Sequence, residues 1–218
     1  MKHCLEIDSV ILEYGNRKIL QDVYLKIEVG EITGLLGRNG CGKTSLLRIL
    51  CGDLAILNKS VRLDGVVASH NPNRFSDIQY LPQFFFLPKH LTVKRVFDDY
   101  QIDYSKFLET FPEFDRHYLT KVNKLSGGER RLIEVVAVLM SKATFCLLDE
   151  PFSQIMPLHV ERLKSIIKSE KRTKGILVTD HLYEHIVQLS DRLYVIFNGK
   201  THVANGMEDL PTFGYLAK

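Results

Sequence analysis

The feature that most constrains the fold of this chain is a glycine-rich segment, Gly37-Arg38-Asn39-Gly40-Cys41-Gly42-Lys43-Thr44-Ser45. It has the P-loop spacing of a glycine, four residues and then Gly-Lys-Thr. An apolar stretch, 31–36, precedes it and a helix-like stretch, 45–50, follows it, which is the strand–turn–helix context that this motif requires. Glycines let backbone N–H groups point at a phosphate chain, and a helix N-terminus adds partial positive charge there. The segment therefore predicts nucleotide binding, with Lys43 reaching the phosphates and Thr44 ligating Mg²⁺.

The composition is typical of a globular protein with one substantial domain. The 218 residues are 45% hydrophobic and 25% charged, and the net charge of +3 is too small to indicate nucleic-acid binding. No apolar run approaches the ~20 residues of a membrane-spanning helix, and the N-terminal residues lack the apolar core of a signal peptide. The four cysteines stand apart without a CxxC pair, which favours a reduced cytoplasmic setting over disulfides or zinc.

Strand-like patterns lie on both sides of the P-loop. Residues 5–12 and 19–27 alternate polar and apolar side chains before it, which indicates antiparallel strands. After it, Asp64-Gly65 and Asn198-Gly199 stand between apolar runs as two-residue hairpin turns, and residues 70–74 are loop-like. We therefore expect an antiparallel β layer beside a parallel core.

The middle of the chain, residues 84–124, has no strand alternation. Thr92 is a predicted N-cap with apolar residues at helical spacing after it, so this stretch is expected to form a small helical subdomain. Residues 1–83 and 125–218 are expected to form the catalytic core with its β layer, all within a single domain, 1–218. The predicted fold class is α/β: a P-loop NTPase core with a mostly parallel sheet, an antiparallel β layer and a small helical subdomain.

Two further segments carry groups suited to phosphate chemistry. Residues 125–129, Leu-Ser-Gly-Gly-Glu, begin an apolar-periodic helix that continues to Met140 and form a second anion-receptive helix start. Residues 144–148 are typical of a buried strand, which ends at Asp149 and Glu150. Adjacent residues at a strand end point to opposite sides, so one carboxylate can address Mg²⁺ and the other an attacking water. A solvated strand end is the alternative, and the P-loop upstream favours the functional interpretation.

Three other features leave two interpretations open. Tyr14 could stack on a nucleotide base or lie half-buried at a strand end. Gln83 follows a predicted strand, 77–81, at the carboxyl end where α/β sheets place ligand groups, and could ligate a metal, orient water or be a solvated loop residue. The apolar run 84–87, Phe-Phe-Phe-Leu, could belong to the core or form a patch that docks a partner.

Together these motifs resemble the ATP-binding cassette (ABC) ATPase subunits, and the similarity covers nearly the whole chain. Residues 125–129 match the signature motif of that family, which is highly specific beside a P-loop. Residues 145–150 match its Walker B strand, with Glu150 at the catalytic glutamate. Gln83 falls at the Q-loop, Tyr14 at the adenine-stacking position and His181 at the switch histidine.

The chain departs from the family pattern in the D-loop, residues 153–157. Met156 stands where the family usually has aspartate, and Gln154 where it usually has glycine. In the signature helix, Ala137 replaces a common arginine. The D-loop departures put in question how tightly two sites communicate and whether both are equally active.

The resemblance implies ATP and Mg²⁺ as ligands and a specific set of site residues. The implied ATP-binding residues are Tyr14, Gly37, Arg38, Asn39, Gly40, Cys41, Gly42, Lys43, Thr44 and Ser45. The implied catalytic residues are Glu150, His181, Lys43 and Gln83. The implied Mg²⁺ ligands are Thr44, Gln83 and Asp149. The signature residues expected to reach the ATP of an opposite subunit are Ser126, Gly127, Gly128 and Glu129.

The resemblance also implies partners. Two cassettes are expected to bind head to tail around two Mg-ATP, as a homodimer or with a different cassette subunit as a heterodimer. Separate transmembrane permease chains are expected to dock at residues 84–87 and the helical subdomain, which places the protein peripherally on the cytoplasmic face of a membrane. No nucleic-acid partner is expected. Among transporter ATPases, the Ser-Gly-Gly-Glu-Arg-Arg and Thr-Asp-His details most resemble lipopolysaccharide-export subunits.

Two alternatives belong to other functional classes. The first is a soluble ABC ATPase that acts on nucleic acid or ribosomes without a membrane partner, although this chain lacks the long insertions usual there. The second is a zinc protein, because residues 181–185 fit the H-x-x-E-H pattern, in which two histidines four apart on a helix share one metal ion.

Three finer expectations concern single side chains. The helix predicted over 157–171 is expected to turn Leu158, Leu163, Ile166 and Ile167 inward. The basic residues of this region, Lys164, Lys168, Lys171, Arg172 and Lys174, are expected to form a solvated face, with contact to anionic lipid as the minority interpretation. The pKa of Cys41 is expected to be lowered, because the thiol lies near a helix N-terminus and Lys43.

Overall fold

Two β-sheets and six α-helices make up the fold in the computed structural model, which describes residues 3–67 and 77–215. The strands are β1 Cys4–Tyr14, β2 Arg17–Glu28, β3 Ile32–Gly37, β4 Ser60–Leu63, β5 Val66–Val67, β6 Ile78–Leu81, β7 Phe145–Asp149, β8 Gly175–Thr179, β9 Arg192–Phe197 and β10 Lys200–Ala204. The helices are α1 Lys43–Leu50, α2 Val93–Asp99, α3 Tyr104–Thr110, α4 Gly127–Leu139, α5 Pro157–Glu170 and α6 Tyr183–Leu189. The predicted loop at 70–74 lies outside the described residues.

The larger sheet has the order β10-β9-β3-β8-β7-β6, with every neighbouring pair parallel except β10 and β9. Every residue of β3, β7 and β8 is buried, because helices or the second sheet cover both faces. Parallel strands end at one edge of the sheet. The segments after β3, β6, β7 and β8 therefore meet there, and these are the P-loop, Gln83, Glu150 and the Asp180-His181 pair.

The smaller sheet is antiparallel, in the order β2-β1-β4-β5, and its inner face packs with α1 against one side of the larger sheet. Its closing turn is the predicted Asp64-Gly65 pair, with φ of 52° and 77°. Both residues take the left-handed conformation that a two-residue hairpin turn requires. The predicted fold class is confirmed, since the mostly parallel sheet, the antiparallel layer and the helical region are all present.

The helical region, residues 84–124, packs with α4 and α5 on the other side of the larger sheet. Thr92 caps α2 as predicted, with its hydroxyl accepting the Arg95 N–H at 3.2 Å. The end of this region contains two short 3₁₀ helices, Pro112–His117 and Val122–Lys124. In the part of the chain that the structure describes, no helix is both long and apolar enough to cross a membrane.

Two expectations about α5 and the residues after it are wrong in part. Leu163 and Ile167 are buried and Ile166 is partly buried, as predicted, but Leu158 is 63% exposed and Val160 is buried. The helix begins at Pro157. Leu163 and Ile167 lie three and seven positions after Val160, and residues at this spacing share one face of a helix. The solvated basic face is also incomplete, because two of its lysines are buried.

Each buried lysine has oxygen partners. Lys164 Nζ donates to Glu161 at 2.8 Å and to Gln188 at 3.3 Å. Lys174 Nζ donates to the carbonyls of Ser141 and Ala143. Long lysine stems cover apolar surface while the ammonium reaches oxygen acceptors, which a count of charges along the sequence does not reveal.

Candidate active site

The P-loop joins β3 to α1 through backbone that only glycine adopts easily. Gly42 has φ of 106°, and a Cβ there would lie 2.8 Å from Leu20 in β2. Lys43 is 8% exposed and its Nζ donates to the Gly37 carbonyl at 2.7 Å. No side chain caps the start of α1. Its first N–H groups are therefore free to bind an anion.

A cavity of about 490 Å³ lies in front of this loop. Its lining residues are Tyr14, Ile19, Asn39, Gly40, Gly42, Lys43, Thr44, Ser45, Gln83 and Glu150. All but Ile19 were predicted site residues, and they come from four separate parts of the chain. Tyr14 ends β1, is 57% exposed and borders the cavity, which favours base stacking over burial at a strand end.

Three predicted P-loop residues, Gly37, Arg38 and Cys41, do not line this cavity. Arg38 and Cys41 line a neighbouring cavity of about 430 Å³. The Cys41 sulfur packs so closely on Gly37 that a Cβ there would lie 2.5 Å from it. Burial raises the pKa of Cys41, and the opposing effects of Lys43 and the backbone N–H groups are smaller. The expected lowering of this pKa is therefore wrong.

The side chain of Gln83 lies among three oxygens from the predicted catalytic groups. Its Nε2 is 3.0 Å from Thr44 Oγ1, 3.2 Å from Asp149 Oδ1 and 3.1 Å from Glu150 Oε1. An amide has two protons for these three acceptors. The structure thus brings the Q-loop glutamine, the P-loop threonine and both Walker B carboxylates to one point.

Negative charge is concentrated beside that point. Burial raises the pKa of Asp149, against the lowering effect of hydrogen bonds from Thr44, Gln83 and Tyr80. Burial also raises the pKa of Glu150, and the nearby carboxylates of Asp180 and Asp149 add to this effect. A raised pKa means that the ionised carboxylates are unfavourable here without a counter-charge. A positive charge bound next to them is therefore stabilised.

Arg131 is a site residue that the sequence analysis missed. It is 2% exposed, and its guanidinium donates to the carbonyls of Pro82 at 2.7 Å, Asp149 at 2.7 Å and Glu150 at 2.9 Å. Glu150 has a left-handed φ of 52°, which is uncommon outside glycine, and Arg131 holds its carbonyl. The available signal was a pair of arginines at the start of an otherwise apolar-periodic helix.

His181 lies beside the carboxylates but outside a helix. Its Nδ1 is 3.1 Å from Asp180 Oδ1 and 3.9 Å from Glu150 Oε2. Helix α6 begins only at Tyr183, so His181 and His185 do not share the helical geometry that the zinc hypothesis requires. Over residues 3–67 and 77–215, no group of three His, Cys, Asp or Glu side chains could hold a metal ion.

The signature residues begin α4 and lie outside the lining of the nucleotide cavity. Ser126 and Glu129 form a capping box, in which each side chain accepts the other's backbone N–H, at 3.3 Å and 2.8 Å. Gly128 lies against the D-loop, since a Cβ there would be 2.5 Å from the Gln154 carbonyl oxygen. Gln154 itself has φ of 64°, a conformation that the glycine usual at this position adopts without strain.

Comparisons with known proteins agree with this geometry. Residues 20–153 match the family model described as ABC transporter. The high-affinity branched-chain amino acid transport ATP-binding protein BraG of Pseudomonas aeruginosa is 32% identical, with 90% of each chain covered. The lipopolysaccharide export system ATP-binding protein LptB of Haemophilus influenzae is 34% identical, over 90% of this chain and 88% of that protein. The resemblance to lipopolysaccharide-export subunits is thus found among the relatives.

Solved structures share the fold. The ATP-binding subunit of an ABC transporter superposes with a TM-score of 0.81 at 20% identity, covering 98% of this chain and 95% of that one. A bacterial Atm1-family ABC exporter with ATP bound superposes with a TM-score of 0.82 at 19% identity, and this chain covers 40% of it. Because a family model matches more than half of the chain and relatives above 30% identity span most of it, the protein belongs to the ABC transporter ATP-binding family and is an ATPase.

Proposed function

We propose that this ATPase works as a head-to-tail dimer that binds two Mg-ATP and drives transport through a separate membrane-spanning chain. It would lie peripherally on the cytoplasmic face of that membrane. Relatives described as ATP-binding proteins of transport systems support this over a soluble ABC ATPase without a membrane partner.

The observation that carries the proposal is the convergence of oxygens on Gln83. Thr44, Asp149 and Glu150 all approach its Nε2 within 3.2 Å. Hydroxyl, carboxylate and amide oxygens suit Mg²⁺, which takes few protein ligands and completes its shell with water and substrate phosphates. Thr44 and Asp149 would hold the ion, and rotation of the Gln83 amide would present its oxygen. Bound Mg²⁺ supplies charge that neutralises the β- and γ-phosphate oxygens.

The remaining groups have roles that follow from their positions. The free N–H groups of the P-loop and α1 bind the phosphate chain, Lys43 adds a positive charge, and Tyr14 stacks on the base. Glu150 borders the same cavity, which supports a role in orienting and deprotonating the attacking water. His181 lies next to Glu150, where it can contact the γ-phosphate. Catalysis then comes mainly from positioning and charge.

The position of the signature motif is the reason for proposing a dimer. Ser126 begins a capped helix and is exposed, yet no signature residue lines the cavity in its own chain. We infer that Ser126, Gly127, Gly128 and Glu129 complete the site of the opposite subunit.

The run of residues 84–87 offers a docking surface for the membrane partner. Phe84 is 71% exposed, whereas Leu87 is buried at 3%, so both of the interpretations that the sequence left open apply to parts of this run. Phe84 and Phe86 line a mainly apolar cavity of about 560 Å³ beside Gln83. A segment docked there would lie next to the Mg²⁺ site, which links partner contact to hydrolysis. The relatives include amino-acid transport and lipopolysaccharide-export proteins at similar identity, so both substrate classes are candidates.

The dimer is tested with Glu150→Gln. The amide is a poor general base, so ATP stays bound and the closed sandwich persists. We expect the purified variant to be mainly monomeric without nucleotide and dimeric with Mg-ATP, as measured by sedimentation velocity. Chelation of the metal with EDTA is expected to reverse the dimer.

Ser126→Arg in the same background is the control. Its bulk and charge should prevent the dimer while nucleotide affinity at the P-loop stays within about twofold, because Ser126 is not part of that cavity. A Glu150→Gln protein that binds ATP and stays monomeric would rule out the homodimer sandwich and favour a heterodimer or closure on the membrane partner.

A further inference from the structure

The helical region contains a short element that contacts both the signature motif and the helix after the D-loop. This element is the 3₁₀ helix Pro112–His117, six residues long. An acidic side chain near its start reaches α5, and basic side chains at its end reach the capping glutamate of α4. Neither set of contacts has a role in the active site described above.

The first contact joins Glu113 to two residues of α5. His159 Nε2 donates to Glu113 Oε1 at 2.8 Å, and Arg162 Nη1 lies 3.0 Å and 3.2 Å from the two carboxylate oxygens. The His159 side chain is only 7% exposed, and its ring packs on those of Phe111 and Phe114. Helix α5 begins directly after Met156 of the D-loop. The 3₁₀ helix is thus fixed to the helix that follows the D-loop.

The second contact joins the end of the 3₁₀ helix to Glu129. His117 Nε2 lies 3.2 Å from Glu129 Oε1 and 3.0 Å from Arg116 Nε. If Nε2 carries the proton it donates to the carboxylate, and otherwise it accepts from Arg116, whose Nη2 is 3.6 Å from the same oxygen. Both arrangements hold Glu129. The other oxygen of Glu129 accepts the Ser126 N–H at 2.8 Å, so this contact acts directly on the signature serine.

The body of the 3₁₀ helix is fixed between these ends. Phe114 is 1% exposed and packs among the aromatic rings of the helical region. Its carbonyl accepts a hydrogen bond from Tyr104 Oη at 2.7 Å. The 3₁₀ helix is therefore anchored in its middle, with one end on α5 and the other at the start of α4.

We infer that Glu113 and His117 are positioning residues, which hold the signature motif in a fixed place relative to the D-loop so that it can bind the ATP of the opposite subunit. This rests on the proposed dimer, in which both motifs face the partner. Displacement of a positioned group by about 1 Å costs on the order of a hundredfold in rate, so small shifts of Ser126 matter. The contacts tie together parts of one chain and lie away from its own P-loop cavity.

The test measures dimer formation separately from nucleotide binding. Glu113→Ala and His117→Ala are made in the Glu150→Gln background, and the dimer dissociation constant is measured with saturating Mg-ATP by sedimentation velocity. We expect each to weaken the dimer by roughly tenfold, which is the effect of one lost charged hydrogen bond. The affinity of dilute monomer for a fluorescent ATP analogue is expected to stay within about twofold.

Three matched variants sharpen the result. Asp98→Ala removes an exposed ion pair with Lys94 in the same region and should leave the dimer constant unchanged. Glu113→Gln keeps a hydrogen-bond acceptor and the shape of the side chain, so it should weaken the dimer less than Glu113→Ala does. Because both residues act through one element, the double variant Glu113→Ala/His117→Ala should weaken the dimer no more than about the stronger single variant. Thermal unfolding verifies that every variant is folded at the assay temperature.

The outcomes separate this inference from the proposed dimer. If the Glu150→Gln parent does not dimerise with bound ATP, the dimer proposal fails and the inference fails with it. If the parent dimerises and the Glu113 and His117 variants dimerise equally well, only the positioning role is overturned. Equal losses of monomer ATP affinity and of dimer affinity would also overturn it, because the residues would then act on their own P-loop.

Discussion

At the scale of single residues, the site depends on a few side chains that hold backbone rather than substrate. Arg131 ties the Q-loop to the end of β7 through the carbonyls of Pro82, Asp149 and Glu150. Burial lowers the pKa of Arg131, while Glu134 and the nearby acidic residues favour its charged form. A buried cation is therefore kept at the point where two catalytic segments meet.

The first prediction concerns this arginine. Arg131→Met keeps an apolar stem of similar length but leaves three backbone carbonyls, two of them buried, without their donor, and it removes a partner of Glu134. We expect a loss of about 3–5 kcal/mol of unfolding free energy, as measured by denaturant titration. Arg131→Lys can restore only part of the hydrogen bonding, so its unfolding free energy should lie between those of the unchanged protein and Arg131→Met. A loss below about 1 kcal/mol in Arg131→Met would contradict the role assigned to these bonds.

At the scale of secondary-structure elements, short-range signals were read correctly from the sequence, whereas two residues of α5 were assigned to the wrong face. Asp64-Gly65, Thr92 and Ser126 each determine local backbone through their own conformation or hydrogen bonds, so their effect is visible in the sequence. Leu158 and Lys164 were misplaced because the inward face of α5 depends on what packs against it. A helix shows which residues share a face, and tertiary contacts decide which face is buried.

The second prediction uses the contact between the 3₁₀ helix and α5. Burial raises the pKa of Glu113, but a backbone hydrogen bond, Arg162 and His159 together lower it by more. The pKa of Glu113 is therefore below its ordinary value of 4.5. A lowered carboxylate pKa contributes stability that is present above the ordinary value and is lost as pH falls through the lowered one. Glu113→Gln should therefore reduce unfolding free energy more at about pH 6 than at about pH 3. Denaturant titrations of both proteins at each pH measure this, and a difference that does not change with pH would contradict it.

At the scale of the whole molecule, the position of the site follows from the parallel sheet. Four loops from separate parts of the chain meet at its carboxyl edge, and the P-loop and Asp149-Glu150 could be assigned there from sequence because each follows a recognisable buried strand. Contacts between motifs could not be assigned in that way. The hydrogen bonds from Arg131 to two loops and the contact of Glu113 with α5 depend on how the helical region packs. No local sequence pattern encodes which of these segments lie close together.

The division of the chain into parts is also a whole-molecule question. One hydrophobic cluster includes Leu36 and Leu148 of the larger sheet together with Phe107 of the helical region. Since these side chains share one core, we propose that residues 84–124 unfold together with 1–83 and 125–218 as a single domain. Separate unfolding of the helical region would expose the apolar sides of α4 and α5 at a large cost.

The last prediction tests the single-domain proposal by shortening one buried side chain of the helical region. Phe107 is fully buried, so Phe107→Ala is expected to cost about 3–5 kcal/mol, with the loss shared by the whole protein because the cluster is continuous. Circular dichroism and hydrogen exchange of β7 and β8 should show one transition, shifted to lower denaturant. Leu119→Ala, at a position that is 72% exposed in the same region, is the matched control and should change stability by less than about 0.5 kcal/mol. If Phe107→Ala instead separates unfolding into two steps, with β7 and β8 protected after the helical region has opened, then residues 84–124 form an independent unit and the single-domain proposal is wrong.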